Sequence, residues 1–190
     1  MNSSARRLYL SVAVKLLFLI ALVALAAVLL ASLGGGDGQR EQAATADPWR
    51  LEVDWTQIPA GERRQLQWPD GREIWIYRRL SGEADRLKQR PAAQLHDPDS
   101  RHSRQPEGIS PLWRSRHPEI FVFHPYETRR GCRVRLVAEQ AEFVDACHGA
   151  RFDSAGRLLK DSGVAQQQNL AVPDYELIGE RRLRLQPPGN

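Results

Sequence analysis

The chain has 190 residues, room for one domain and an anchoring segment. Of its 27 basic side chains, Arg6, Arg7 and Lys15 fall in the first 34 residues, which hold no acid; the remainder carries 24 basic against 23 acidic groups. A nearly neutral domain under a basic leader gives no electrostatic footprint for nucleic acid, and five tryptophans among many valines and isoleucines suit a β-rich core.

Leu16 to Leu33 is an uncharged apolar run broken by one serine, and Leu8 to Val14 extends it. That length spans a bilayer. Residues 1–33 are therefore expected to form a single transmembrane anchor. With its basic residues on the N-terminal side, the N-terminus is expected in the cytoplasm and the domain on the periplasmic or external face of the inner membrane. The alternative is a cleaved signal peptide, against which stand the length of the apolar stretch and the distance to Ala44-Thr-Ala46. Arg6-Arg7-Leu-Tyr-Leu10 also resembles a twin-arginine export signal, so the general secretion and twin-arginine routes both stay open. Residues 34–47, rich in Gly, Ala and Gln, read as a flexible linker, and the folded domain is expected over 48–190.

Within the domain, Leu51-Glu-Val-Asp-Trp55 alternates apolar and polar residues as a half-buried strand does. Arg64–Trp68 and Glu73–Arg78 read as two more strands around the tight turn Pro69-Asp-Gly71, closing a three-stranded meander. Ser81 to Arg90 reads as a short charged helix. Gln94 to Pro118, dense in Pro, His, Arg and Asp, reads as an extended surface insertion, with His96, His102 and His117 at the surface. Ile120–Phe123 is a buried strand; Arg133–Val137 and Glu142–Val144 are further strands. Ala150–Asp153 with Gly156–Leu159, and Tyr175–Ile178 with Arg182–Leu185, read as two hairpins. The doublets Arg63-Arg64, Arg78-Arg79 and Arg181-Arg182 have acids nearby and read as a solvated face. No nucleophile–base constellation, phosphate-binding glycine loop or helical metal motif is present, so no catalytic residue is assigned.

Two segments carry the chemistry: Glu127-Thr-Arg-Arg-Gly-Cys132 and Asp145-Ala-Cys-His-Gly149. They resemble the two cluster-binding loops of Rieske iron–sulfur proteins, C-x-H-x-G-C and C-x-C-H-G. The resemblance extends over most of residues 48–185. Val53-Asp-Trp-Thr-Gln-Ile-Pro-Ala-Gly61 with Gly71-Arg-Glu-Ile-Trp-Ile-Tyr-Arg-Arg79 is similar to the opening strands of the Rieske subunit of cytochrome bc-type quinol-oxidising complexes. Asp97-Pro98 resembles the stretch before the first loop. Gly149-Ala-Arg-Phe-Asp-Ser-Ala-Gly-Arg157 and Asn169-Leu-Ala-Val-Pro-Asp-Tyr-Glu-Leu177 are similar to that subunit's closing segment.

The resemblance implies an all-β fold of antiparallel sheets, sandwich-like, with two loops tied by a Cys132–Cys147 disulfide. An external domain in an oxidising compartment points the same way, two free buried thiols being the alternative. Closing a loop of about 15 residues is worth on the order of 3 kcal/mol in the chain-entropy treatment. The resemblance also places the four cluster-ligand positions at Glu127, Arg129, Asp145 and His148, of which His148 alone is a usual ligand. A Rieske centre takes two thiolates on one iron and two imidazoles on the other. Arginine has no lone pair to give, and carboxylates are hard donors. The family's proline-bearing cover over the cluster is here Asp161-Ser-Gly-Val-Ala165.

The expectation is therefore a Rieske-like protein without cofactor, its tip held by a charge network in which Arg129 bridges Glu127 and Asp145. Its function would be structural, as an accessory or assembly subunit of a respiratory electron-transport complex, with the membrane and other subunits as partners and no nucleic acid. The alternative is a functional two-iron two-sulfur electron-transfer subunit with non-standard ligands, an oxidoreductase component of the quinol–cytochrome c reductase type. A mononuclear metal site from His148, Asp145, Glu127 and His124 is a further possibility.

Overall fold

The computed structural model describes residues 12, 14–25, 47–164 and 166–187. The chain divides into two units, Met1–Asp47 and Pro48–Asn190. Residues 14–25 are helical, with the apolar side chains of Leu16, Leu17, Phe18 and Ile20 exposed. Among the described residues no helix is long and apolar enough to cross a membrane. The rest of the expected anchor and residues 34–46 of the expected linker lie outside them.

In the second unit the described strands form three antiparallel sheets of three. β1 (Leu51–Asp54), β9 (Arg182–Leu185) and β8 (Tyr175–Ile178) make the first, in the order β1-β9-β8. β2 (Arg63–Gln67), β3 (Glu73–Arg78) and β4 (Ile120–Phe123) make the second, in sequence order. β5 (Val134–Val137), β6 (Glu142–Asp145) and β7 (Arg151–Asp153) make the third. The antiparallel all-β expectation holds.

The meander expected of the first three strands does not. β1 leaves through the 3-10 turn Trp55–Gln57, capped by the Asp54 side chain on the Thr56 amide, and pairs with β9 from the far end of the chain. The strand expected at Gly156–Leu159 is reduced to single bridges, Leu158 to Phe152 and Leu159 to Leu95. The charged helix is Glu83–Gln89, shorter than expected.

β3 and β4 are apolar on both faces because both are covered: Ile74 to Tyr77 and Ile120 to Phe123 are buried. Their aromatics meet the third sheet directly. Tyr77 and Phe143 pack edge-on at 5.5 Å, and Phe123 and Phe143 lie 4.6 Å apart. Gly156 lies under this cluster at φ +68°, where a Cβ would come within 2.5 Å of the Phe121 ring. Only glycine meets both demands.

The segment from Gln94 to Pro118 runs largely over the surface, as expected, but is anchored inward at several points. Arg114 is 0% and Ser115 1% exposed, with Leu95 and Ile109 buried beside them. His96 and His102 are exposed, while His117 lies half-buried against Trp55, ring centres 5.0 Å apart. In the Arg78-Arg79 doublet, Arg79 departs from the expected solvated face. Arg79 is buried and donates to the carbonyls of Trp113 (2.7 Å), Pro118 (2.6 Å), Ile120 (2.7 Å) and Ser154 (3.0 Å) and to the Ser115 hydroxyl. Irregular backbone in an interior needs donors for its carbonyls, and a guanidinium supplies five in a fixed fork. Lysine offers three donors from one point and cannot reach all these acceptors. Arg79→Lys is therefore expected to lower stability by about 2 kcal/mol or more in urea denaturation. An unchanged midpoint would show that the carbonyls find other donors.

Candidate functional site

The third sheet sets the site. Its β5–β6 register pairs Val134 with Asp145, and the Ala146 amide continues the ladder to the Arg133 carbonyl. Cys132 and Cys147 then stand the same two residues beyond the last pair, facing one another across the ends of adjacent strands. They are joined, with their Cα atoms 6.1 Å apart. The disulfide thus ties the loop between β4 and β5 to the loop between β6 and β7.

Both loops are shaped by one device, an acidic side chain folded back onto the amides that follow it. Asp145, 1% exposed, accepts from the Cys147 amide at 2.7 Å and the His148 amide at 3.3 Å. Glu127, 2% exposed, accepts from the amides of Arg129 (2.9 Å), Arg130 and Cys132 (3.3 Å). Gly131, at φ +72°, returns its amide to the Glu127 carbonyl and completes the turn.

A third segment closes over the first loop. The Gln167 side-chain amide donates to Glu127 at 2.9 Å, and the Gln168 amide donates to the Thr128 hydroxyl at 2.9 Å. The Gln167 side-chain oxygen accepts in turn from the Val164 amide at 3.2 Å, and Gly163 leaves it room, since a Cβ there would come within 2.5 Å. The closure over the first loop comes from residues just after Asp161–Ala165, the stretch expected in place of the family's proline-bearing cover. Ala165 within it lies outside the described residues.

His148 is the remaining ligand position. Its Nε2 lies 2.8 Å from Nη1 of Arg130. A guanidinium can only donate, so Nε2 accepts and the ring proton sits on Nδ1. That nitrogen is 3.4 Å from an Asp145 oxygen, within ion-pair range but without hydrogen-bond geometry. Arg129 is exposed, and the bond it gives Glu127 comes from its backbone. The Arg130 side chain, not singled out in the sequence, reaches the site through His148. Among the described residues, one group of metal-ligating side chains converges: Cys132, Asp145, Cys147 and His148. Glu127 and His124, named in the mononuclear alternative, lie outside it. His124 instead turns Nδ1 to the Glu73 carbonyl at 3.0 Å.

Burial pushes the Glu127 carboxyl up, but the three amides and Gln167 together outweigh it and hold its pKa below the usual glutamate range. Behind the loops, Glu73 accepts from Trp75, Tyr126 and Arg133, fastening the first loop to β3. The Arg133 hydrogen bond is the chief cause of that carboxyl's depressed pKa.

Three antiparallel three-stranded sheets carrying two loops stapled by a disulfide define a Rieske-type domain. No known family profile matches the chain. It is 27% identical over 136 residues to the ubiquinol-cytochrome c reductase iron-sulfur subunit of Bradyrhizobium diazoefficiens, covering 71% of this chain and 70% of that one. It is 28% identical over 136 residues to the subunit of the same name from Rickettsia prowazekii, with the same coverage. With that of Allochromatium vinosum it is 29% identical over 149 residues, covering 70% of each. Among solved structures it is similar to the plasma membrane Rieske protein PetC3 of Synechocystis PCC 6803 (TM-score 0.41, 18% identity, covering 70% of this chain and 97% of that one). These relatives bear out the resemblance to the Rieske iron–sulfur protein family.

Gln167 and Arg130 were missed by sequence reasoning. Neither occupies a ligand position of the motif, and neither belongs to an apolar pattern that would have marked it.

Because the Glu127 pKa is lowered on folding, the stability it lends is present above the ordinary glutamate value of about 4.3. It is lost as pH falls through the folded-state value. Glu127→Gln keeps one acceptor oxygen for four donors. It is expected to destabilise the domain by about 1–3 kcal/mol at pH 7 by urea denaturation, with the deficit shrinking towards pH 3 as the native carboxylate protonates. Equal stability of the two proteins at both pH values would remove the carboxylate from the support of the loop.

Proposed function

We propose that this protein acts by binding, as a membrane-anchored Rieske-type accessory or assembly subunit of a respiratory complex of the ubiquinol–cytochrome c reductase kind, without a conventional two-iron two-sulfur centre. The observation that carries this reading is the donor set at the tip. Both cysteines are spent in the disulfide, so no thiolate faces the ligand positions. Glu127 and Asp145 stand where thiolates would, and their oxygens are turned back onto the loops' own amides. Arg129 has nothing to donate to iron. These residues do not fit a centre that needs two thiolates and two imidazoles.

Each loop keeps its shape through its own acid. A tip built this way needs no bound group to stay folded, which suits a surface that recognises other subunits. The respiratory partner is carried over from the relatives, whose names place them in ubiquinol–cytochrome c reductase. The apolar leader and the helix over residues 14–25 support an inner-membrane anchor with the domain on the periplasmic side.

One observation favours a second reading. The relatives that match over about 70% of their length are named iron-sulfur subunits, which keeps a cluster with non-standard ligands as the alternative. Iron and acid-labile sulfide, measured on the full-length protein purified anaerobically from its own membrane, separate the two. The expected result is neither in stoichiometric amount, together with co-purification of other respiratory-chain subunits on the tagged chain. About two irons and two sulfides per chain would establish the electron-transfer reading instead.

A further inference from the structure

Cys132 and Cys147 share their space with two other donors. One ligating atom each from Cys132, Asp145, Cys147 and His148 lies within 4.8 Å of all the others. Nδ1 of His148 is buried with no hydrogen-bond partner, 3.4 Å from Asp145. A buried polar atom left unsatisfied is costly, and the oxidised tip makes no use of it.

We propose that reduction of the disulfide converts this tip into a mononuclear metal site of the zinc type. Its ligands are the two cysteine thiolates, Nδ1 of His148 and the Asp145 carboxylate. At Zn–S of about 2.3 Å and Zn–N of about 2.0–2.1 Å, tetrahedral donors sit roughly 3.3–3.8 Å apart. The four atoms therefore need to move by about an ångström. Side-chain rotations supply movements of that size, and the β5–β6 pairing, which ends two residues short of both cysteines at Val134 and Asp145, does not include their S–S bond.

The Asp145 carboxylate is already oriented by the Cys147 and His148 amides, the kind of support that ligating carboxylates need. Two thiolates and an imidazole select zinc over magnesium or calcium.

The chemistry balances as a thiol–disulfide exchange followed by metal binding. A dithiol reductant gives two electrons and two protons. The Cys132–Cys147 bond breaks, two thiols form, and the reductant becomes a disulfide. The metal ion then displaces both thiol protons and the proton on Nδ1, with the imidazole reprotonating at Nε2. Arg130 must release Nε2 at that point, and its exposed side chain is free to swing outward. Reoxidation by a small-molecule disulfide expels the metal. The redox state of the tip thus decides whether the two loops are joined by sulfur alone or by a metal.

The test uses full-length protein in detergent, reduced with dithiothreitol and freed of it by anaerobic gel filtration. Cobalt(II) is the probe and zinc the competitor. The reduced protein is expected to bind one cobalt per chain, with thiolate-to-cobalt absorption in the near ultraviolet and tetrahedral d–d bands that zinc abolishes. Zinc is expected to raise the melting temperature of the reduced protein and not of the disulfide-bonded one. His148→Ala is expected to weaken cobalt binding at least about tenfold. A reduced chain that unfolds and is refolded by zinc also supports the site. The proposal fails if the reduced protein binds no stoichiometric cobalt, if the disulfide-bonded protein binds it equally, if His148→Ala leaves the affinity unchanged, or if zinc does not refold a chain that unfolds on reduction.

Discussion

The buried arginines are the constraint on which the rest of this structure depends. Between β3 and β4, and again between β7 and β8, the chain runs through long irregular stretches that pack inward and bring unpaired carbonyls with them. Arg79 collects those of Trp113, Pro118, Ile120 and Ser154, while Arg114 reaches Ala155 and Gly156 and is also held by Gln105. Arg157 pairs with Asp153 at 2.8 Å and donates to the Leu87 carbonyl. Burial pulls Arg79 and Arg114 down to a pKa of about 10, which still leaves both charged at neutral pH. The desolvation of these cations is offset by the number and geometry of their acceptors, an arrangement hydrophobic residues could not reproduce.

That framework delivers the two loops. β4 enters the first loop fully buried, and the aromatic contacts of Tyr77, Phe123 and Phe143 fix the third sheet against the second. The ends of β5 and β6 are thereby held in register, and the register sets the cysteines opposite each other. Glu127 and Asp145 then do for their loops what an N-cap residue does for a helix, accepting amides that have no other partner. The order of dependence runs from buried cations to sheets, from sheets to register, and from register to tip.

Much of this was legible in the chain. β3, β4 and the β8–β9 hairpin could be read because apolar runs and a Gly-Glu turn mark them locally. The disulfide could be read because the spacing of its two loops survives. Strand pairing could not: nothing in Leu51–Asp54 indicates that β9 rather than β2 is its neighbour, since pairing between distant strands leaves no local periodicity. The inward anchoring of Gln94–Pro118 was hidden by its composition. Pro, His, Arg and Asp suggest solvent, yet here Arg114 is enclosed by the carbonyls it serves and Asp97 caps the amides of Arg101 and His102. Arg79 was misread for the same reason, because charge in a sequence says nothing about the acceptors that the fold will supply.

The tip also has an electrostatic order that its composition conceals. Its two acids are turned inward and saturated by backbone donors, while Arg129 and Arg130 lie on the exposed side of the first loop. Fixed negative charge inside keeps the loop backbone in place, and positive charge faces outward. A domain that is nearly neutral as a whole therefore exposes two adjacent arginines on its first loop. At a protein surface, such local charge governs the rate and orientation of an encounter more than the final affinity. Glu127 and Asp145 thus hold the two loops from within, and Arg129 and Arg130 stand on the exposed side of the first.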